Sequence, residues 1–402
     1  MHILQLTNKV PFPPKDGGAI AALNMISGFA ELEHKVTVLA MNTSKHYFDL
    51  KKLPDEIKNK AEIIGVNVDT KISFIHAMTN LLFSQLPYNA RRFISKDYEK
   101  KLVELLQANR YDIIQLEGLY LLPYIYVIKK HSGALVALRS HNIEHEIWYR
   151  SALQQTNILK KQYFLILAKR IKRLKLRLIN TYDVLIPITE RDGEVYNRLG
   201  NTRPLQVAPA GINPDLPDPD RSALEYPSLF YIGALDWGPN QEGLIWFLKN
   251  AWTRISDKYP DLNFYIAGRN APEWFIQRCV YKNVIYLGEV GDAYKFMNSK
   301  AVMIVPLLSG SGMRIKIIEG MALGKTIIST SIGAEGIKCT HEKDILIADT
   351  VNDFINEIER VIINNDIFER VGNNAVIFVK ENFNNITISG SLTGFYRSHA
   401  GL

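Results

Sequence analysis

The stretch 301–336, AVMIVPLLSGSGMRIKIIEGMALGKTIISTSIGAEG, constrains the fold more than any other part of the chain. Residues 301–308 form an apolar run of the kind that becomes a buried strand. Ser309, Gly310, Ser311 and Gly312 follow, with more backbone freedom than an ordinary core needs. The spacing of Ile315, Ile318, Met321 and Ala322 predicts a helix over 313–323, with Gly324 as its C-terminal stop. A second β-rich run, 326–332, comes directly after.

Strand, glycine loop, helix, strand is a unit of a parallel sheet. Its loop lies at the carboxyl end of the strand, where such sheets bind ligands. The helix N-terminus offers unpaired N–H groups and a partial positive charge, which suit a phosphate. Arg314 and Lys316 fall in the expected first turn, where the helix dipole disfavours cations. An anionic ligand that needs two more positive groups reconciles that placement. Glu319, further along the helix, can accept hydrogen bonds from hydroxyls of the same ligand. On these residues alone, a solvated helix face with a flexible entry loop is the other reading.

The segment SGSGMRIKIIEGMALGK resembles the donor-binding loop and helix of family 4 glycosyltransferases. The family motif is a Glu, seven residues, then a second Glu followed by a small residue, Met-Ala, any residue and Gly. Glu319 falls on the second Glu, and Gly320-Met321-Ala322-Leu323-Gly324 matches the remainder of the motif. Ser311 stands where the first Glu would be, which leaves donor-sugar contact to its hydroxyl and to loop N–H groups. The resemblance implies an α/β chain of GT-B fold, two Rossmann-like doubly wound domains with a donor-binding cleft between them. It implies a retaining hexosyltransferase that takes its sugar from a nucleotide-diphosphate sugar. Arg314 and Lys316 would meet the diphosphate, and Glu319 the ribose hydroxyls.

The rest of the chain is compatible with that layout. At 402 residues it is comfortable for two domains, and 47% hydrophobic with 22% charged residues is ordinary globular composition. The expected division is an N-terminal acceptor domain over 1–212, a proline-rich linker over 213–227 and a nucleotide-sugar domain over 228–382. A last segment, 383–402, would cross back to the first domain. Strands expected at 228–232, 263–267 and 284–287 end in Gly233, in Gly268-Arg269 and in Gly288-Glu289-Val290. Gly233, Arg269, Glu289 and Val290 therefore join Gly310, Ser311, Gly312, Met313, Arg314, Lys316 and Glu319 as donor-site candidates. In the first domain, a strand at 2–6 leads to Gly17-Gly18 ahead of a helix expected at 19–33. By resemblance, that glycine pair approaches the donor phosphates. A strand at 134–138 delivers Arg139-Ser140-His141-Asn142; on these residues His141 is equally a helix-capping histidine, and the resemblance implies that it is the catalytic group, beside the reacting carbon of the donor sugar.

No metal and no cofactor is expected. His141 and His145 lie in H-N-I-E-H-E, which is not the H-E-x-x-H of a zinc helix. The one Asp-x-Asp pair, Asp218 and Asp220, falls in the proline-rich linker. Cys279 and Cys339 give no framework, in keeping with a reducing compartment. With a strand starting at His2, no signal peptide is expected, and no apolar run reaches membrane-spanning length.

The net charge is 48 minus 41, or +7, and it is unevenly spread. Residues 147–182 hold nine basic side chains and no acidic one. A basic amphipathic helix over 158–178 is either a domain helix with a solvated charged face or a site for anionic membrane. Nucleic acid is not expected as a partner, because no base-stacking platform accompanies the charge. The function expected is sugar transfer to a saccharide or lipid-linked acceptor in bacterial cell-surface polysaccharide synthesis, at the cytoplasmic face of the membrane. A nucleotide-sugar epimerase of the same fold and a non-catalytic sugar-nucleotide or lipid-binding protein are the alternatives.

Overall fold

The computed structural model describes residues 1–14, 16–213, 219–310 and 312–401. The chain divides into two compact units, 1–213 together with 385–402, and 214–384.

The first unit is built on six parallel strands: β1 (His2–Thr7), β2 (Lys35–Thr43), β3 (Glu62–Val68), β4 (Ile113–Glu117), β5 (Leu135–Ser140) and β6 (Val184–Pro187). Their order is β3-β2-β1-β4-β5-β6. The chain thus winds outward from β1 in one direction, then returns to β4 and winds outward in the other. The switch between β1 and β4 opens a crevice at the carboxyl ends of those strands. Ile3, Leu4, Leu6, Ile113, Ile114 and Leu116 of these two strands are fully buried, as expected when helices cover both faces.

The second unit repeats the plan with β7 (Glu225–Ile232), β8 (Phe264–Ala267), β9 (Val284–Gly288), β10 (Lys300–Val305), β11 (Thr326–Ser329) and β12 (Leu346–Ile347). The order is β12-β11-β10-β7-β8-β9, so the switch lies between β7 and β10. The doubly wound reading of both halves holds. Strand β7 starts at Glu225, inside the stretch expected as linker, because Glu225 pairs with Lys300 at the start of β10. Residues 214–218 of that stretch, Asp218 included, lie outside the described residues.

The last helix, Asn385–Ala400, packs on helix Gly17–Glu31 of the first unit. The Asn385 side-chain amide donates to the Asn24 carbonyl at 3.0 Å, while the Asn24 amide donates to the Gly211 carbonyl at 2.8 Å.

The basic segment is two helices, Glu144–Leu153 and Ile158–Leu178, with Trp148 edge-on to Phe164 at 5.0 Å between ring centroids. Two of the nine cations are internal to the fold. Lys175 is fully buried, with its Nζ 3.2 Å from the Glu144 carboxylate and 4.2 Å from the centre of the Tyr196 ring. Arg170 donates to the carbonyls of Asn80 (3.1 Å) and Leu81 (2.7 Å). The solvated charged face expected of 158–178 is therefore without Lys175 and Arg170, which are tied into the fold, and keeps the other cations.

Candidate functional site

In the second unit, the switch between β7 and β10 brings together Gly233, which follows β7, and the loop 306–314, which follows β10. Helix Ile315–Ala322 starts there. It starts two residues later than the expected 313, so Met313 belongs to the loop and Arg314 is the N-cap. An N-cap is usually a Ser, Thr, Asp or Asn whose oxygen closes the first turn. Arg314 has no such oxygen and makes no side-chain cap, so the N–H groups there face no carboxylate of their own cap. Its guanidinium instead donates to the Gly312 carbonyl at 2.7 Å and lies 5.3 Å from the centre of the Trp237 ring. Gly310, at φ 130°, supplies the left-handed backbone that this turn requires.

Lys316 projects from the first turn. Its Nζ donates to Tyr231 Oη at 2.8 Å and to Asn240 Oδ1 at 3.3 Å. Among the described residues no carboxylate lies within ion-pair distance of it. Burial, then the charge of Arg314, pull this ammonium well below the ordinary lysine range. Gly233 leaves it open on one side: a Cβ there would lie 3.2 Å from Nζ and 3.0 Å from Tyr231 Oη. Tyr231 sits on β7, and Asn240 on helix Gly238–Phe247, held by its own amide to the Ala234 carbonyl at 2.7 Å.

Glu319 is three residues on from Lys316 and shares its face of the helix. It accepts from Tyr294 Oη at 3.0 Å, and burial raises its carboxyl to about 7 despite that bond. A carboxylate in that setting gains from hydroxyl donors. Arg269 follows β8, the strand beside β7; it is partly buried and has no side-chain partner among the described residues. Glu289 and Val290 follow β9, at the sheet edge, Glu289 exposed and Val290 partly buried. No hydrogen bond or ion pair among the described residues ties those two to the Lys316 group. Ser311 lies outside the described residues, while Ser309 Oγ donates to the Glu242 carboxylate at 3.0 Å.

In the first unit the glycine pair is placed differently from expectation. Gly17 and Gly18 form the first turn of helix Gly17–Glu31 rather than a loop before it. Asp16 caps that turn, accepting from the Ala19 N–H at 3.0 Å, and is paired with Lys9 at 2.5 Å. Burial works against the Asp16 carboxylate, but Lys9 outweighs it and holds its pKa below the usual range. This helix N-terminus carries a fixed carboxylate as its cap; at Ile315 the N-cap side chain makes no cap.

His141 lies just past β5, and its Nε2 is 2.5 Å from Glu117 Oε2 at the end of β4. Arg139 Nη1 donates to the same oxygen at 3.3 Å and to the Ala21 carbonyl at 3.1 Å. Gln115 donates to the other Glu117 oxygen and accepts from Tyr396 Oη at 2.7 Å. Burial pushes the Glu117 carboxyl up, but Arg139 and then His141 overcome it and leave the group below its ordinary value. Glu117 is therefore an ionised, fixed acceptor that sets the His141 ring. On sequence alone, Glu117, Tyr231, Asn240 and Tyr294 are assigned no role. The signal for Glu117 was its polar side chain at the carboxyl end of a buried strand.

Among the described residues, one grouping of three side chains could approach a cation: His341, Glu342 and Glu357. Arg360 already bridges its two carboxylates, at 2.8 and 2.9 Å. His341 Nδ1 accepts from the Ile347 N–H.

The whole chain is similar to solved structures of known architecture. Sucrose-phosphate synthase from Thermosynechococcus elongatus superposes with a TM-score of 0.73 at 16% identity, covering 99% of each chain. Anabaena HepE in complex with UDP gives a TM-score of 0.71 at 13% identity, covering 99% of this chain and 100% of that one. A protein of Klebsiella pneumoniae, described as an uncharacterized 44.6 kDa protein in the cps region, is 24% identical over 408 residues, 97% of this chain and 98% of its own length. Two doubly wound six-stranded parallel sheets matching those structures constitute the GT-B fold, and residues 226–364, which carry Lys316 and Glu319, match the family Glycosyl transferases group 1.

Proposed function

We propose that this chain is a retaining glycosyltransferase that moves a hexose from a nucleotide-diphosphate sugar to a saccharide or lipid-linked acceptor in cell-surface polysaccharide assembly. The observation that carries the reading is Lys316, a partly buried amine with no carboxylate within ion-pair distance among the described residues, beside a glycine and a helix start whose N-cap side chain makes no cap. A diphosphate supplies the charge that this group lacks. When the bond from sugar C1 to the β-phosphate oxygen breaks, negative charge grows on that phosphate. Lys316 and the first-turn N–H groups are fixed donors for it. The acceptor hydroxyl oxygen takes C1, and its proton passes to the departing β-phosphate oxygen. Glu319 receives the ribose hydroxyls, and His141, set by Glu117, acts at the sugar. HepE, solved with UDP and with UDP-glucose, supports uridine diphosphate sugars as the first donors to try, and the cps-region relative supports the reading of cell-surface polysaccharide assembly.

The test is a thermal-shift series of nucleotide sugars, followed by turnover with a lipid-linked saccharide extract and NMR assignment of the product anomer. A donor that binds only the folded chain raises its melting temperature. No stabilisation by any nucleoside diphosphate sugar, or an inverted product, overturns the reading. Conversion of the donor sugar without acceptor would make the chain an epimerase.

Glu319→Ala should discriminate at the ribose. Losing a buried acceptor of hydroxyl donors costs roughly 1–3 kcal/mol, so ribonucleotide affinity should fall about 10- to 100-fold. The 2′-deoxy donor should lose less. Equal losses for both would remove the ribose assignment. The pH dependence follows from the carboxyl at about 7: ribonucleotide affinity should rise as pH passes upward through that value, and Glu319→Gln should flatten the rise.

Turnover should persist in EDTA, because Lys316 and the helix start take the charge that a divalent ion would otherwise meet. Activity lost in chelator and restored by Mg²⁺ or Mn²⁺ would contradict this. For location, we infer attachment to anionic membrane through the exposed cations of 158–178. No described helix is long and apolar enough to cross a membrane.

A further inference from the structure

Helix Phe74–Phe83 has the sequence FIHAMTNLLF and carries no acidic or basic side chain other than His76. Phe74, Ile75, Leu82 and Phe83 are 70–86% exposed, and Ile72 just before them is 77% exposed. A surface helix ordinarily turns its apolar stripe inward; this one turns it to solvent. The helix is nonetheless firmly built. Ser73 Oγ caps the His76 N–H, Tyr88 Oη accepts from the Ser73 N–H at 3.0 Å, and Asn80 is buried. The carbonyls of Asn80 and Leu81, in its last turn, are held by Arg170.

Arg170 also fixes the neighbouring element. On helix Ile158–Leu178, steps of four and three residues through Arg170 pass along Leu159, Tyr163, Ile166, Arg173 and Arg177. Leu159 and Ile166 are exposed, as are Arg173 and Arg177, with Lys169 and Lys172 exposed beside them. An uncharged apolar helix therefore adjoins a helix that presents cations and further apolar side chains. We propose that these two helices form a membrane-docking face, in which Phe74–Phe83 enters the acyl boundary of a bilayer and the cations of Ile158–Leu178 meet anionic headgroups. Bilayers with anionic lipid offer both chemistries at the required depths. A second copy of the chain is a poorer occupant, since it would bring like-charged rows together. The proposal rests on the membrane part of the proposed function and adds the inserting element, which sequence reading did not single out.

The test is co-sedimentation with phosphatidylcholine vesicles of increasing phosphatidylglycerol content, at low and high salt. The wild-type chain should bind more as anionic lipid increases and less as salt increases. The double variant Leu82→Ser, Phe83→Ser should lose about tenfold or more in partitioning, with unchanged melting temperature and unchanged nucleoside diphosphate affinity. Arg173→Gln with Arg177→Gln should lower binding mainly at low salt. Wild-type retention of the double variant on vesicles overturns the insertion role. So does a wild-type dimer that the double variant converts to monomer without change in vesicle binding. Turnover of a soluble acceptor by a chain that ignores vesicles sinks this proposal alone; vesicle binding without any nucleotide-sugar binding sinks the proposed function instead.

Discussion

Lys316→Met is expected to melt at a higher temperature than the wild-type chain and to lose nucleoside diphosphate affinity by roughly 100-fold, two opposite effects of one substitution. The stabilisation comes from the ligand-free fold. Burial and the Arg314 charge depress the lysine, which means that folding disfavours its charged form. Between the depressed value and the ordinary 10.5, the unfolded chain binds more protons than the folded one, so stability rises with pH across that window. Methionine keeps much of the volume, removes the charge and should abolish that slope. The lost affinity comes from the phosphate. A charge-assisted hydrogen bond contributes about 1.5–3 kcal/mol, and more where water is excluded. Binding of the diphosphate should also draw the Lys316 pKa back up, so that the amine takes up a proton at any pH between its free and its bound value. Calorimetry in buffers of different ionisation enthalpy should show proton uptake with the wild-type chain and none with the variant. The nucleoside is the control: if its binding falls as much as that of the diphosphate, Lys316 has no phosphate role.

The elements around Lys316 were legible in the sequence for a physical reason. A strand buried on both faces must be an unbroken apolar run, and a loop that bends back over a helix start must contain glycine. The features that stayed hidden depend on contacts across long sequence separations. Glu117 and His141 meet because β4 and β5 are neighbours in register, with Glu117 opposite Arg139; no local pattern specifies that. Lys175 looked like one more solvated cation, since periodicity does not reveal that Glu144 sits beneath it. Strand β3 was missed because it is a half-exposed edge strand with Gly65 at its centre, so neither apolar run nor clean alternation marks it. The start of helix Ile315–Ala322 was placed early because Met313 and Arg314 are good helix formers. The actual boundary reflects the Arg314 side chain folding back on the Gly312 carbonyl.

His141→Ala should lower kcat about 10²- to 10³-fold while leaving donor affinity within about twofold, the pattern of a group that acts in the transition state. Glu117 is a positioning residue for it, and its substitution separates two roles. Glu117→Gln keeps the shape but leaves the buried Arg139 without its carboxylate, an arrangement that costs about 3–5 kcal/mol of stability. The sign of the pH effect is set by the lowered carboxyl. Its stabilisation is present above the ordinary value of 4.5 and is lost as pH falls through the depressed one, so Glu117→Gln should remove that part of the acid sensitivity. A purely structural role predicts loss of stability with normal kcat per folded molecule. Positioning predicts that kcat falls in the folded fraction while donor affinity stays, because the ring no longer has a fixed acceptor at Nε2. Pairing Glu117→Gln with Arg139→Met removes the buried uncompensated charge and should recover part of the stability, leaving kcat low. If kcat recovers with stability in the double variant, Glu117 only holds the fold. If His141→Ala turns over donor at the wild-type rate, the histidine is a residue of the β5 turn and the catalytic group lies elsewhere.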